Sequence, residues 1–282
     1  MEKVPKKFWT DRAFVLAAVR FQPSVLHMVE PDWLMEQDFV MSAIRRNSIC
    51  VRFIPEDLLR DRGFVSQALL EHGSVLKHLP HDLRADPSLV LAAIPQTGFV
   101  LGFAADELRF NKTFVLEAVR INGYALIGLP DVMRSDREVV MAAVKQQGKC
   151  LEFATASLRA NPEIVLVAIK SCPTPLVHVE ESLWSDPKFV LDAAEIHACA
   201  LQYANESLRK SSTFILSAFQ RNPESLCYAH ADLQAQRGFV IECLALNPRA
   251  LEFVPARMRA DMAFQAAASG LSQPADSPLP SW

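Results

Sequence analysis

The side chains best equipped for chemistry in this chain are arginines at a fixed interval. Arg84, Arg109, Arg134, Arg159, Arg209 and Arg259 are separated by one constant step or by twice that step. A guanidinium is a permanent cation with a planar fork of donors, suited to gripping carboxylates and phosphates at two points. Two residues after each stands Asp86, Asn111, Asp136, Asn161, Ser211 or Asp261. Two readings follow. The arginines form an internal ladder that satisfies carbonyls and carboxylates of neighbouring segments, or they form a ridge offered to acidic peptides or phosphates.

Histidines and cysteines are the next candidates. His78 and His178 occupy a column otherwise filled by Phe53, Phe103, Phe153, Tyr203, Tyr228 and Phe253. They are expected to be core histidines hydrogen-bonded to a nearby carbonyl, with ligand binding as the alternative. His72 and His197 fall where helices end, a place for polar caps. Cys172 shares that column with His197, and Cys150 and Cys199 are close in register. Their spacing matches no zinc pattern, so neither metal nor other cofactor is expected. The candidate binding residues are therefore Arg84, Arg109, Arg134, Arg159, Arg209, His178 and His197. Gly-rich phosphate loops, GxSxG and HExxH are missing from the sequence, which leaves no reaction to name.

These residues are set in a repeat. Val15, Val40, Val65, Val90, Val115, Val140, Val165, Val190, Ile215 and Val240 recur at the same step, about 25 residues, which lies in the range of repeat architectures. Alanine recurs three positions further on, from Ala18 to Ala218. Such a period means a solenoid in which each repeat packs on its neighbours. Within one repeat, Asp136 is an N-cap candidate, and Val139, Val140, Ala143 and Val144 share a helical face. The spacing predicts a helix of roughly ten residues. It ends at Gln147-Gly148, where glycine can adopt the left-handed C-cap conformation. A short helix around 149–154 carries Leu151 and Phe153, and a third piece carries Leu158 and Arg159; α and 3₁₀ geometry are both open for these.

The expected fold is thus all-α: an α-solenoid superhelix of about ten repeats over 11–260. A partial repeat precedes it at 1–10, a closing helix follows at 261–269, and a disordered Pro/Ser tail occupies 270–282. Departures at Ile94-Pro95 and Cys172-Pro173-Thr174-Pro175 predict stiffened helix ends. The incomplete end repeats allow self-association, a homo-oligomer formed through the end repeats.

Half of the 282 residues are hydrophobic, and the formal net charge is −3. That balance opposes a protein whose task is to neutralise phosphates, although one repeat per base in single-stranded nucleic acid is the alternative architecture. The six cysteines stand singly, with no CxxC pair, which suits a reducing cytoplasm. No apolar run approaches membrane-spanning length, and the N-terminus lacks the apolar core of a signal peptide.

Read as a consensus, the units have the form FVLxAVxxNGxAL…LR. Asn111 to Arg120 with Ile121-Asn122-Gly123-Tyr124-Ala125-Leu126, and Ala198 to Arg209, carry it most clearly. This resembles a bacterial tandem helical-repeat family catalogued as a domain of unknown function. In architecture it is also similar to leucine-rich variant repeats. The resemblance implies a helical-repeat fold and carries over no established catalytic residues. Units of this kind occur in bacteria, including host-associated ones, and in some microbial eukaryotes, so the expected location is the cytoplasm or a host cell reached without a classical signal peptide. The expected function is a non-enzymatic scaffold for a protein or extended peptide. The alternatives are a single-stranded nucleic-acid reader and an uncharacterised enzyme or metal-binding regulator. Specificity is expected in the freely varying positions Ala17, Ser42, Gln67, Glu117, Val167, Asp192 and Glu242.

Overall fold

The computed structural model describes residues 5–170, 173–261 and 264. It is an all-α repeat fold, with no strand among the described residues. The chain divides into two compact bodies, Met1–Leu158 and Arg159–Trp282. Each repeat contributes a long α-helix, a 3₁₀ segment and a single further turn. The long helices of the N-terminal body are α1 (Arg12–Ala18), α2 (Gln37–Arg46), α3 (Arg62–Glu71), α4 (Pro87–Ala93), α5 (Lys112–Ile121) and α6 (Arg137–Gln146). Those of the C-terminal body are α7 (Pro162–Ile169), α8 (Pro187–Ile196), α9 (Ser212–Arg221) and α10 (Arg237–Leu246).

The repeat beginning at Asn111 shows how the sequence builds the unit. Asn111 caps α5 by accepting from the Phe114 amide at 3.2 Å. Phe114, Val115, Ala118 and Val119 are buried on one face. Asn122 then turns extended, with φ −148° and ψ 112°, and ends the helix while its own amide still donates to Ala118. The 3₁₀ segment Gly123–Gly128 buries Ala125 and Leu126. Pro130 presets the single turn Asp131–Arg134, whose Met133 closes the core. A ten-residue helix is marginal alone in water, so its order comes from covering this apolar face against the next repeat. The alanine column lies fully inside the stack: Ala93, Ala118 and Ala143 have no exposed surface.

The third piece, left open between α and 3₁₀, takes both forms. It is one α-turn at Glu56–Leu59, His81–Arg84 and Asp106–Arg109, and a 3₁₀ turn at Pro31–Met35 and Glu181–Ser185. The stiffened end at Pro95 shortens α4 to seven residues, since proline has no amide to continue the ladder.

The glycine expectation is corrected. No described glycine has positive φ. Seven of the ten long helices end directly on an extended residue, from Asn47 and His72 to Asn247, and Gly73 and Gly123 serve close approach instead. A Cβ on Gly73 would lie 2.6 Å from the Ala93 carbonyl oxygen, and one on Gly123 would lie 2.7 Å from that of Ala143. Both oxygens belong to the next long helix.

Three ladders join neighbouring repeats. Backbone amides donate to the last carbonyl of the preceding single turn, as Ala105 to Arg84 at 2.9 Å and His230 to Arg209 at 3.0 Å. The extended residue donates a side-chain N–H to the preceding long helix, as Asn122 Nδ2 to Ile94 at 3.1 Å. Finally, the first residue of one long helix reaches the cap of the next: Arg12 meets Glu36 at 2.5 Å, Lys112 meets Asp136 at 2.8 Å, and Arg62 meets Asp86. Burial pushes the Asp136 carboxyl up, but Lys112 and the Val139 and Glu138 amides outweigh it and hold the group below its ordinary range. The predicted closing helix and tail lie outside the described residues, except Asp261 and the buried Phe264.

Candidate functional site

The arginine column is largely engaged within the chain. Arg84 Nη1 donates to the Phe103 carbonyl at 3.2 Å. Arg109 and Arg134 each pair with the aspartate three residues earlier, Asp106 and Asp131. Arg159 donates to Glu180 through Nε at 3.1 Å and Nη2 at 2.6 Å. The Nε atoms of Arg84, Arg109, Arg134 and Arg209 are buried without a hydrogen-bond partner. Their side chains thus lie along the repeat boundary as aliphatic stems with a partly exposed head. Arg84 and Arg159 reach the next repeat as a ladder would, whereas Arg109 and Arg134 are engaged within their own turns.

The histidines also fit the repeat. His197 Nε2 donates to the Ile169 carbonyl at 2.8 Å, and His72 Nε2 donates to that of Arg45 at 3.0 Å. Asn47, Asn122 and Asn222 do the same work in this column. His178 ends the 3₁₀ segment Thr174–His178 and is half-buried. His78 does not make the expected carbonyl hydrogen bond among the described residues. Burial, Lys77 and Arg52 disfavour its imidazolium and hold its pKa below the usual histidine range.

No cluster of metal-ligating side chains forms among the described residues; Cys172 lies outside them. Burial pushes the Cys50 and Cys150 thiols up to about 12 and Cys243 up to about 11, so these sulfurs stay protonated and inert.

What the arginine and histidine columns do not explain is the outer face of the long helices. Leu16, Leu91, Leu116 and Met141 lie there half-exposed in the N-terminal body, where Met41, which is buried, and the polar Ser66 interrupt the column, and Leu166, Leu191, Leu216 and Ile241 in the C-terminal body. The varying positions beside them are accessible too, from Ala17, Gln67 and Glu117 to Asp192 and Glu242. Shallow grooves run between adjacent helices. One of about 450 Å³ separates α5 from α6, with Leu116, Met141 and Ala142 on its floor and Arg120, Arg137 and Lys145 at its edges. Another, of about 490 Å³, lies between α1 and α2 and is lined by Leu16, Ala17, Arg20, Phe21, Arg45 and Arg46. The leucine column was legible as part of the FVL pattern, but its half-exposure was not. Helical periodicity places a residue on a face without saying how fully the neighbour covers it.

The charges of the N-terminal body are sorted by the helix ends. Acidic side chains open the single turns at Glu56, Asp57, Asp82, Asp106, Glu107 and Asp131. Basic ones close the long helices at Arg45, Arg46, Arg120 and Lys145. Each sign complements the partial charge of the terminus it occupies.

A sequence model of the family described as "Domain of unknown function (DUF4116)" matches seven overlapping times, at 11–60, 37–84, 61–109, 86–131, 111–159, 161–209 and 211–259. The chain belongs to this family, a tandem helical repeat. Comparison with curated proteins and with solved structures gave no match. No helix among the described residues is long and apolar enough to cross a membrane.

Proposed function

We propose that the chain is a non-enzymatic scaffold that binds a protein or an extended peptide along the outer face of its long helices. The observation that carries this reading is the half-exposed aliphatic column running beside accessible positions of unlike chemistry. Leu116, Met141 and Ala142 in the α5–α6 groove are its best-formed stretch. A repeat fold needs its inner faces for stacking, and apolar side chains left half in water add less to stability than those it buries there. An apolar floor with variable flanks suits a partner that touches several repeats in turn.

Panning a random-peptide display library on the purified chain tests this. Enriched peptides should lose binding to the variant Leu116→Glu/Met141→Glu, whose circular dichroism melt matches the parent. A library that enriches nothing, or peptides indifferent to that substitution, counts against the outer face as a binding surface.

A further inference from the structure

The long helices carry an arginine whose setting differs sharply between the two bodies. Arg46 and Arg221 stand in the same column of the repeat. In the C-terminal body, Arg221 Nη1 lies 2.8 Å from Asp192 Oδ1 and 3.3 Å from Glu195 Oε2. The fold therefore displays what this position accepts: two carboxylates one helical turn apart on the preceding long helix.

In the N-terminal body, the equivalents of Asp192 and Glu195 are Ala17 and Arg20. Both carboxylates are gone and one has been replaced by a further cation. Arg46 Nη1 falls back on its own helix, donating to the Ser42 carbonyl at 2.8 Å. Neither Arg20 nor Arg46 forms an ion pair with a carboxylate among the described residues. Arg45 is already gripped at two points by Glu71, whose carboxylate hydrogen bond raises the arginine pKa and is itself held low by it. Phe21, 85% exposed, stands beside these cations. The place thus combines unneutralised guanidinium charge with an apolar surface of Phe21 and Leu16.

We propose that the α1–α2 groove binds an acidic segment of a partner protein, whose carboxylates take the places that Asp192 and Glu195 fill in the C-terminal body and whose apolar side chains cover Phe21 and Leu16. This rests on the outer face being the binding surface and adds the chemistry of the occupant. Nucleic acid also offers anions to arginines beside an aromatic ring. The carboxylate template inside the same chain and the net charge of −3 favour the acidic peptide.

The test is fluorescence anisotropy with a short labelled peptide of glutamate and leucine repeats. The same peptide with glutamine for glutamate and an oligouridylate of equal charge serve as comparisons. The glutamate peptide should bind the full chain, more weakly as salt rises. The variant Ala17→Asp/Arg20→Glu rebuilds the internal carboxylates and should lower affinity at least about tenfold, the loss of a charge-assisted contact. Arg46→Gln should do likewise, which covers the case in which the double variant folds poorly. Arg221→Gln, in the matching column, should leave affinity unchanged. No binding by the parent chain, undiminished binding by both groove variants, equal binding of the glutamine peptide, or preference for oligouridylate would each overturn the proposal. Should display enrich peptides without acidic residues, the scaffold reading stands while this assignment fails.

Discussion

Two kinds of junction join the 3₁₀ segments of the N-terminal body. At most boundaries a ring from one repeat meets a side chain of the repeat before it. Phe53 packs edge-on against His27 at 4.9 Å, and Lys77 sits over the Phe103 ring at 5.5 Å. His78 is the ring in the intervening repeat, and Arg52 is close enough to depress its pKa. Between Gly98–Phe103 and Gly123–Gly128 both side chains are missing at once. Gly128 replaces the ring and Gly102 replaces its partner, so backbone meets backbone. A Cβ on Gly128 would lie 2.7 Å from Gly102 Cα. The repeat tolerates either a paired set of side chains or none. A single side chain without its complement fits neither arrangement, because a packed boundary has no room to absorb it.

The sharpest way to break this comparison is Gly128→Phe. It restores the consensus ring where no space exists, and urea denaturation should show a loss of about 3 kcal/mol or failure to fold. If that variant is as stable as the parent, the two junctions are interchangeable and the contrast is empty. Gly123→Ala asks less, placing one methyl against the Ala143 carbonyl of the next helix. A loss of about 2 kcal/mol is expected by the same measurement. At a ring junction, Phe103→Ala removes a half-exposed side chain and should cost about 1 kcal/mol, since only part of its area leaves water on folding.

The His78 boundary sharpens the comparison through pH. Its imidazolium is disfavoured in the folded chain, so the unfolded chain binds more protons as pH falls below about 6.5. Stability should therefore decrease through that range and level off below the folded pKa. His78→Phe, which supplies the ring of Phe53 and Phe103, should flatten that part of the profile in thermal melts at pH 5 to 8. The smallest effect is the control. Gly238, in the first turn of α10, would leave an added Cβ with nothing within 4 Å, so Gly238→Ala should raise stability by about 0.5 kcal/mol through the entropy of the unfolded chain. A loss there would mean that glycine itself, rather than close approach, explains the other positions.

Much of the architecture was legible from spacing alone. Capping residues at Asn111 and Asp136, the buried faces of α5 and α6, and the helix ends at Asn122 and Gln147 all follow from local backbone chemistry and an unbroken period. The candidate site was less legible. The arginines announced themselves by regularity, yet Asp106, Asp131 and Glu180 engage three of them. The unneutralised pair, Arg20 and Arg46, lay in plain view but could be recognised only beside Arg221 with its two carboxylates.

What the amino-acid sequence determined by itself is the repeat, its helix boundaries and its core columns, because these depend on caps, periodicity and residue size within a few turns of one chain segment. Tertiary structure alone decided which glycines avoid a collision rather than adopt an unusual backbone, which leucines stay half in water, and which cations find an internal carboxylate. Those outcomes depend on distances of a few ångströms between side chains one repeat apart, and a column of letters records the neighbours without the gap between them.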